Sequence, residues 1–302
     1  MARANGPRPA AGLLLVDKPQ GITSHDVVAR VRRGFGTRKV GHAGTLDPMA
    51  TGLLLIGIEG ATRLLTFLVG LDKTYTATIR LGVSTDSDDA DGTVTATASA
   101  DGVTDAAISA GIAALTGDIL QVPSTVSAIK VDGKRAYDLA RAGESVELKS
   151  RPVTVSRFEV LAARRGDDVI DLDVVVDCTS GTYIRALARD LGAALGVGGH
   201  LTALRRSAIG PFLVSDAVAL TDDIGAAPVL TPARVATDVL GALTVTEQEA
   251  TDLRHGKKLA GAAERVASLP VAAIAPDGSL IGVLERRGAD LKSAMNMPEE
   301  QP

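Results

Sequence analysis

The sequence has no tryptophan, one cysteine and only 2% aromatic residues in 302. With Cys178 alone, the chain cannot close an internal disulfide or build a cysteine-based zinc site of the usual kind. The four histidines, His25, His42, His200 and His255, are widely scattered, and no two stand at metal-ligand spacing. There is no P-loop. Gly34-Phe35-Gly36 begins a dinucleotide-like pattern, but Lys39 occupies the third glycine position. No Ser-His-Asp set or paired-carboxylate motif is evident. The apolar run near the start, Leu13 to Val16, is too short for a membrane span or signal peptide and reads as a strand. A soluble cytoplasmic protein without a metal is the expectation. Because aromatics are scarce, the core must be built from Leu, Val, Ile and Ala, and a tyrosine near a motif stands out among only three.

What is present is a 45% hydrophobic chain, long enough for one large domain and a small one. The net charge of −4 argues at first against a nucleic-acid partner, but its distribution is uneven. Residues 1–70 hold nine Lys/Arg against four Asp/Glu, whereas 71–120 hold two against eight. Residues 121–215 hold thirteen against eleven, and 216–302 eight against thirteen. A basic N-terminal part facing phosphates and acidic parts facing solvent fit this distribution; so does a plain solvated surface.

After the first strand, Asp17-Lys18-Pro19-Gln20-Gly21 forces a turn. Thr23 or Ser24 can cap a helix with Val27, Val28, Val31 and Phe35 on one face. Arg30, Arg32 and Arg33 sit in its last turns, where the helix dipole favours cations. A helix is expected around 62–69, a strand over 74–81, an acidic turn from Asp86 to Asp91 and an amphipathic helix over 104–115. Val153–Ala162 and Val169–Asp177 form an expected hairpin through 165–168, followed by a helix over 182–195 and a strand over 201–209. Strands and helices without regular βαβ alternation favour an α+β fold with a largely antiparallel sheet. Pro228 and Pro232 mark a linker; the tail has room for a helix from Glu247 and a strand pair near 271–284, with disorder from Met295 onward.

The informative stretch is Gly41-His42-Ala43-Gly44-Thr45-Leu46-Asp47-Pro48-Met49-Ala50-Thr51-Gly52. Its three glycines imply positive φ or close backbone approach. Pro48 restricts Asp47 to extended geometry. By itself an Asp-Pro pair also marks an ordinary turn. The order and identity of all the fixed positions nevertheless resemble the catalytic motif of TruB-type pseudouridine synthases, Gly-His-x-Gly-x-Leu-Asp-Pro-x-Ala-x-Gly. Further blocks resemble that family in the same order. They are Val16-Asp17-Lys18-Pro19 with Gly21 and Thr23-Ser24-His25, Lys73-Thr74-Tyr75, and Gln121-Val122-Pro123-Ser124 with Ser127-Ala128-Ile129-Lys130. Gly133-Lys134-Arg135-Ala136-Tyr137, Cys178 to Arg185, and His200 with Leu204-Arg205-Arg206 complete the set. The resemblance spans about residues 12–215 and weakens beyond about 235.

The resemblance implies a cofactor-free isomerase acting on uridine 55 in the T loop of tRNA, which is its expected partner, with no membrane and a monomeric state. It implies a pseudouridine-synthase fold over 1–230, with a central mixed, mostly antiparallel sheet, an RNA-binding insertion at about 121–143, and a small β-rich PUA-like domain over 235–302. Asp47 is then the nucleophile and Arg185 the partner that keeps it ionised. Tyr75 stacks on the extruded uracil or, read without the motif, packs across strands. His42 fills the space the base vacates, or is an ordinary core or surface histidine. Leu204 packs beneath the uracil or simply in the core. Lys18 contacts substrate or buttresses the loop. Lys130, Lys134, Arg135, Arg141, Arg205 and Arg206 are candidate phosphate contacts, though any one of them also reads as a solvated charge. Two rivals stand beside the isomerase: a tRNA-binding chaperone, with or without catalysis, and a carboxylate-dependent nucleosidase that would release free uracil.

Overall fold

The structure, a computed structural model, describes residues 9–124, 130–131, 134–135 and 148–298. The chain divides into two compact units. One comprises Met1–Asp47, Leu53–Val69 and Gly210–Pro302, and the other Pro48–Gly52 and Gly70–Ile209.

In the first unit, the apolar run becomes strand β1 (Gly12–Lys18), almost wholly buried. The turn after it ends at Thr23, which caps helix α1 (Ser24–Gly34) in a reciprocal box: Asp26 N–H donates to the Thr23 hydroxyl, and Thr23 N–H to the Asp26 carboxylate at 2.8 Å. The apolar face of α1, Val27, Val28 and Val31, packs on Leu14, Val16, Val40, Leu54, Ile56 and Ile58. Each fully buried valine contributes about 1.5 kcal/mol or more. Strand β2 (Val40–Ala43) runs antiparallel to β3 (Thr51–Ile58), with His42 opposite Ile56. The helix expected around 62–69 is instead a 3-10 segment, Glu59–Leu64, followed by one α turn, Leu65–Leu68. The Thr62 hydroxyl donates to Glu59 O at 2.7 Å, a local side-chain bond that competes with regular helix.

The expected linker around Pro228 is docked rather than loose. Leu13 and Leu230 exchange backbone hydrogen bonds of 2.9 and 2.8 Å. Helix Pro232–Leu240 follows, capped by Thr231 with proline in its first turn, and helix Glu247–Arg254 starts in a Thr246–Glu249 capping box. The expected strand pair is a four-stranded sheet, in the order Ala242–Thr244, Val271–Ile274, Leu280–Arg287, Asp290–Asn296. Its last strand runs through Met295, where disorder is expected from sequence. Only Leu291 of that strand is buried, so it carries little of the alternation that betrays a strand.

The second unit holds an antiparallel array: Gly117–Gln121, Arg151–Arg165, Ile170–Cys178, β4 (Lys73–Leu81) and Gly199–Ile209. The hairpin, the helix at 105–114 and the helix Ile184–Ala194 stand where the sequence places them. Thr51 and Gly52, the first residues of β3, pair in parallel with Arg205 and Arg206. The fold is thus α+β with a mixed, mostly antiparallel sheet and a separate C-terminal sheet. Among the described residues no helix is long and apolar enough to cross a membrane.

The last motif glycine is held by two constraints. Gly52 has φ +101°, and a Cβ there would lie 2.2 Å from the Arg206 carbonyl oxygen. Gly52→Ala is therefore expected to destabilise the protein by more than about 1 kcal/mol, read as a lower Tm. An unchanged Tm would show that the parallel pairing tolerates a side chain.

Candidate active site

Asp47 is half-buried, and the residue before it is fixed by Ser24, which by sequence also suits a helix cap. Because Thr23 caps α1, the buried Ser24 hydroxyl is available to Leu46, accepting from its N–H at 2.9 Å and donating to its carbonyl at 3.1 Å. One hydroxyl thus satisfies both backbone groups of the residue preceding Asp47. Gly44 adds a φ of +85°, as the glycine spacing anticipates. The His42 ring meets His25 edge to face, centroids 5.6 Å apart. Ser24→Ala strips both bonds, leaving buried backbone groups at about 1–3 kcal/mol each. The expected result is a lower kcat with a nearly unchanged KM for RNA; a fall in KM affinity alone would assign Ser24 to binding instead.

In the second unit, Arg185 is the second residue of its helix, which begins at Ile184 rather than Thr182. Its guanidinium is buried, donates to Ser87 O at 2.8 Å and pairs with Asp89 at 3.2 Å. The sequence points to Asp47 as a partner and to Asp86–Asp91 as a plain acidic turn; the fold adds a carboxylate of that turn, Asp89, beside the arginine. Asp89 is itself fixed by the Ser87 hydroxyl at 2.5 Å and Asp91 N–H at 3.1 Å. One turn on, Arg189 pairs with Asp88 at 3.2 Å and donates to Val122 O at 2.7 Å. Burial raises the Asp88 pKa, against the lowering effects of Ser124 and Arg189.

Gln121 does for the arginine helix what Ser24 does for Asp47. Tyr183, the N-cap residue, has no capping side-chain bond of its own. The buried Gln121 amide accepts from Tyr183 N–H at 2.8 Å and donates to Tyr183 O at 3.1 Å. Neither clamp is visible in sequence, since each joins distant residues through a common polar side chain.

Tyr75 and Leu204 are both buried on neighbouring strands, Tyr75 opposite Val176 and Arg206, Leu204 opposite Ala77. Lys73, two residues before Tyr75, is buried, and desolvation, with repulsion from Arg206, pulls its pKa down to about 8. Burial pushes the Cys178 thiol up to about 11.

Two expected RNA contacts are corrected. Lys18 is fully buried, and its ammonium donates to Pro19 O at 2.9 Å and Ile22 O at 2.8 Å. It therefore braces the turn leading into Thr23 and Ser24, which is the buttress reading. Arg206 is 1% exposed and lies inside the sheet rather than facing phosphate. Arg205 is half-buried, 3.5 Å from the Thr51 hydroxyl. Lys130–Val131 and Lys134–Arg135 form a short antiparallel ladder. Residues 125–129, 132–133 and 136–143 of the expected insertion, among them Ser127 to Ile129, Gly133, Tyr137 and Arg141, lie outside the described residues.

Comparison with known proteins fits this arrangement. Residues 32–184 match the model of the TruB family pseudouridylate synthase N-terminal domain. Residues 185–240 match that of the tRNA pseudouridylate synthase B C-terminal domain, and 240–298 that of the tRNA pseudouridine synthase II C-terminal region. A relative from Leifsonia xyli subsp. xyli, called tRNA pseudouridine synthase B, is 56% identical over 295 residues, covering 96% of this chain and 98% of its own. The chain belongs to the TruB family of pseudouridylate synthases. A second TruB-family relative, from Nocardia farcinica and bearing the same name, is 56% identical over 289 residues, covering 93% of this chain and 91% of its own. Among solved structures, a chain of an H/ACA ribonucleoprotein bound to a substrate RNA containing 2′-deoxyuridine has a TM-score of 0.68 at 23% identity, covering 95% of this chain and 85% of that one. A chain of a Cbf5-Nop10-Gar1 complex has a TM-score of 0.66 at 23% identity, covering 95% and 84%. These two share the fold of the TruB-family chain.

Proposed function

We propose that the protein isomerises uridine 55 in the T loop of tRNA to pseudouridine, with the Asp47 carboxylate as nucleophile. The observation that carries this reading is the unbroken twelve-residue motif from Gly41 to Gly52, in a chain 56% identical to relatives named for tRNA pseudouridine synthesis. The substrate uridine is extruded from its stack at a cost of a few kcal/mol. Asp47 adds to the sugar or the base, the N-glycosidic bond breaks, and the uracil rotates and rejoins through carbon 5. The carbon-5 proton leaves and N1 gains one, so composition and oxidation state are unchanged. Tyr75 supplies a stacking surface worth roughly 1–3 kcal/mol, Leu204 an apolar floor, and His42 a ring for the vacated space. Arg185 keeps the nucleophile charged and aimed, since a poorly hydrated carboxylate otherwise drifts toward its neutral form. Its own position is defined by Asp89 and, through Tyr183, by Gln121. Lys130, Lys134, Arg135 and Arg205 remain proposed phosphate contacts, and the C-terminal sheet a proposed module for the body of the tRNA. In that tail Lys257 pairs with Asp252 at 2.8 Å and Lys258 lies 3.9 Å from Asp290, so those charges are partly neutralised.

The test is a T-arm stem-loop carrying tritium at carbon 5 of its uridines. Release of one tritium per loop with no free uracil is expected. Free uracil would favour the nucleosidase, and tight binding without release the chaperone.

A further inference from the structure

We propose that the exposed side of α1 and the loop behind it, carrying Arg30, Arg33 and Arg38, is a contact surface for the phosphate backbone of the RNA. This rests on the RNA substrate proposed above and adds a surface outside the insertion. Many of the described cations are matched by a nearby carboxylate. Arg80 pairs with Asp171, Arg157 with Asp177, Arg164 with Asp173, Arg165 with Asp105, Arg265 with Glu249 and Lys39 with Glu59. The sheet hairpin is in this way a ladder of neutralised charges, which gives an acidic protein little free basic surface there.

The α1 region differs. Arg30, Arg33 and Arg38 are all exposed, and among the described residues none has a carboxylate within 4.0 Å. The one acid on the helix, Asp26, is held by the Thr23 hydroxyl and N–H, and Arg30 acts on it only through space. Asp222 and Asp223 lie beside the short segment that packs at Gly34, yet neither is ion-paired with these arginines. Glu59 is engaged by Lys39 and the Thr37 hydroxyl. The helix dipole favours cations in the last turn, which accounts for the sign but not for three unmatched arginines.

Position supplies the link to the site. His25, at the start of α1, touches the His42 ring, and at the other end Arg32 donates to Val40 O at 3.0 Å. The helix therefore lies along β2, with the proposed T-loop contact at one end and the arginines at the other. Arg30 and Arg33 are one turn apart on one side, a spacing that suits successive phosphates. RNA engaged at His42 has a run of positive charge along which its backbone can continue.

The experiment uses the full chain and a whole tRNA transcript, with affinity measured across a range of salt. One triple variant replaces Arg30, Arg33 and Arg38 with glutamine. A control replaces the paired Arg157, Arg164 and Arg165, altering net charge by the same amount. The α1 triple is expected to lower the slope of log affinity against log salt by about 2 and to weaken binding roughly ten- to hundred-fold at about 0.1 M salt. Turnover at saturating RNA and Tm should stay as in the unchanged protein. The control should leave the slope as it was. An unchanged slope in the α1 triple, or equal loss in both triples, overturns the proposal. Absence of uridine conversion by the unchanged protein would sink the isomerase reading while the comparison of slopes still decides the surface.

Discussion

Asp47→Asn is expected to bind a T-arm stem-loop within a few-fold of the unchanged protein and to lose isomerisation by at least about four orders of magnitude, which is more than about 5 kcal/mol of transition-state stabilisation. The substitution conserves size and shape. Leu46 keeps both bonds to Ser24, and Gly44 and Gly52 keep their backbone roles, so the loop geometry survives. What disappears is the negative charge and the nucleophilic oxygen, neither of which an amide replaces. Binding should change little because the proposed RNA contacts lie elsewhere. Single-turnover conversion and a separate affinity measurement distinguish the two effects. Turnover within ten-fold of the unchanged protein would show that Asp47 is not the nucleophile.

Arg185→Lys is expected to cost roughly 10²–10³ in rate, the scale for removing one preorganised charged donor, with a much smaller change in affinity. An ammonium keeps the charge but not the planar fork. In the structure the guanidinium donates to Ser87 O while pairing with Asp89, and a shorter point charge cannot hold both. Asp89→Asn should act through the same group. It leaves a buried arginine short of charge compensation, a class of change that costs about 3–5 kcal/mol in stability, so thermal melting must accompany the kinetics. Because the two residues form one unit, the double variant should lose far less than the product of the single losses. Full activity in Arg185→Lys, or strictly multiplicative losses, would remove the arginine from its positioning role.

The parts legible in sequence were those written in contiguous residues. The Gly41–Gly52 motif singles out the proposed nucleophile, period and caps located α1 and the helix before Leu195, and alternation located the hairpin at 151–178. What stayed hidden depends on distant pairing. Asp89 reads as one more acid in an acidic turn until the fold brings it to Arg185. Lys18 reads equally as a substrate contact or a buttress, and only the backbone carbonyls of the next turn that it satisfies decide for the buttress; Arg206 reads as a surface charge because its residue type is usually exposed, yet it lies within a sheet. Ser24 and Gln121 are small polar residues that would suit any loop; only the structure shows each bridging both backbone groups of a neighbour to a key side chain. The last strand was missed because a single buried leucine leaves no period to read.

Site mapping on a whole tRNA transcript tests the central claim most directly. The protein is incubated with unmodified transcript, the product treated with carbodiimide, and reverse transcription stops located, with the intact mass recorded in parallel. One new stop at uridine 55, with no change in mass and no stop after treatment with Asp47→Asn, is the predicted result. Stops at other uridines with none at 55, a loss of mass corresponding to uracil, or an undiminished stop with Asp47→Asn would contradict it.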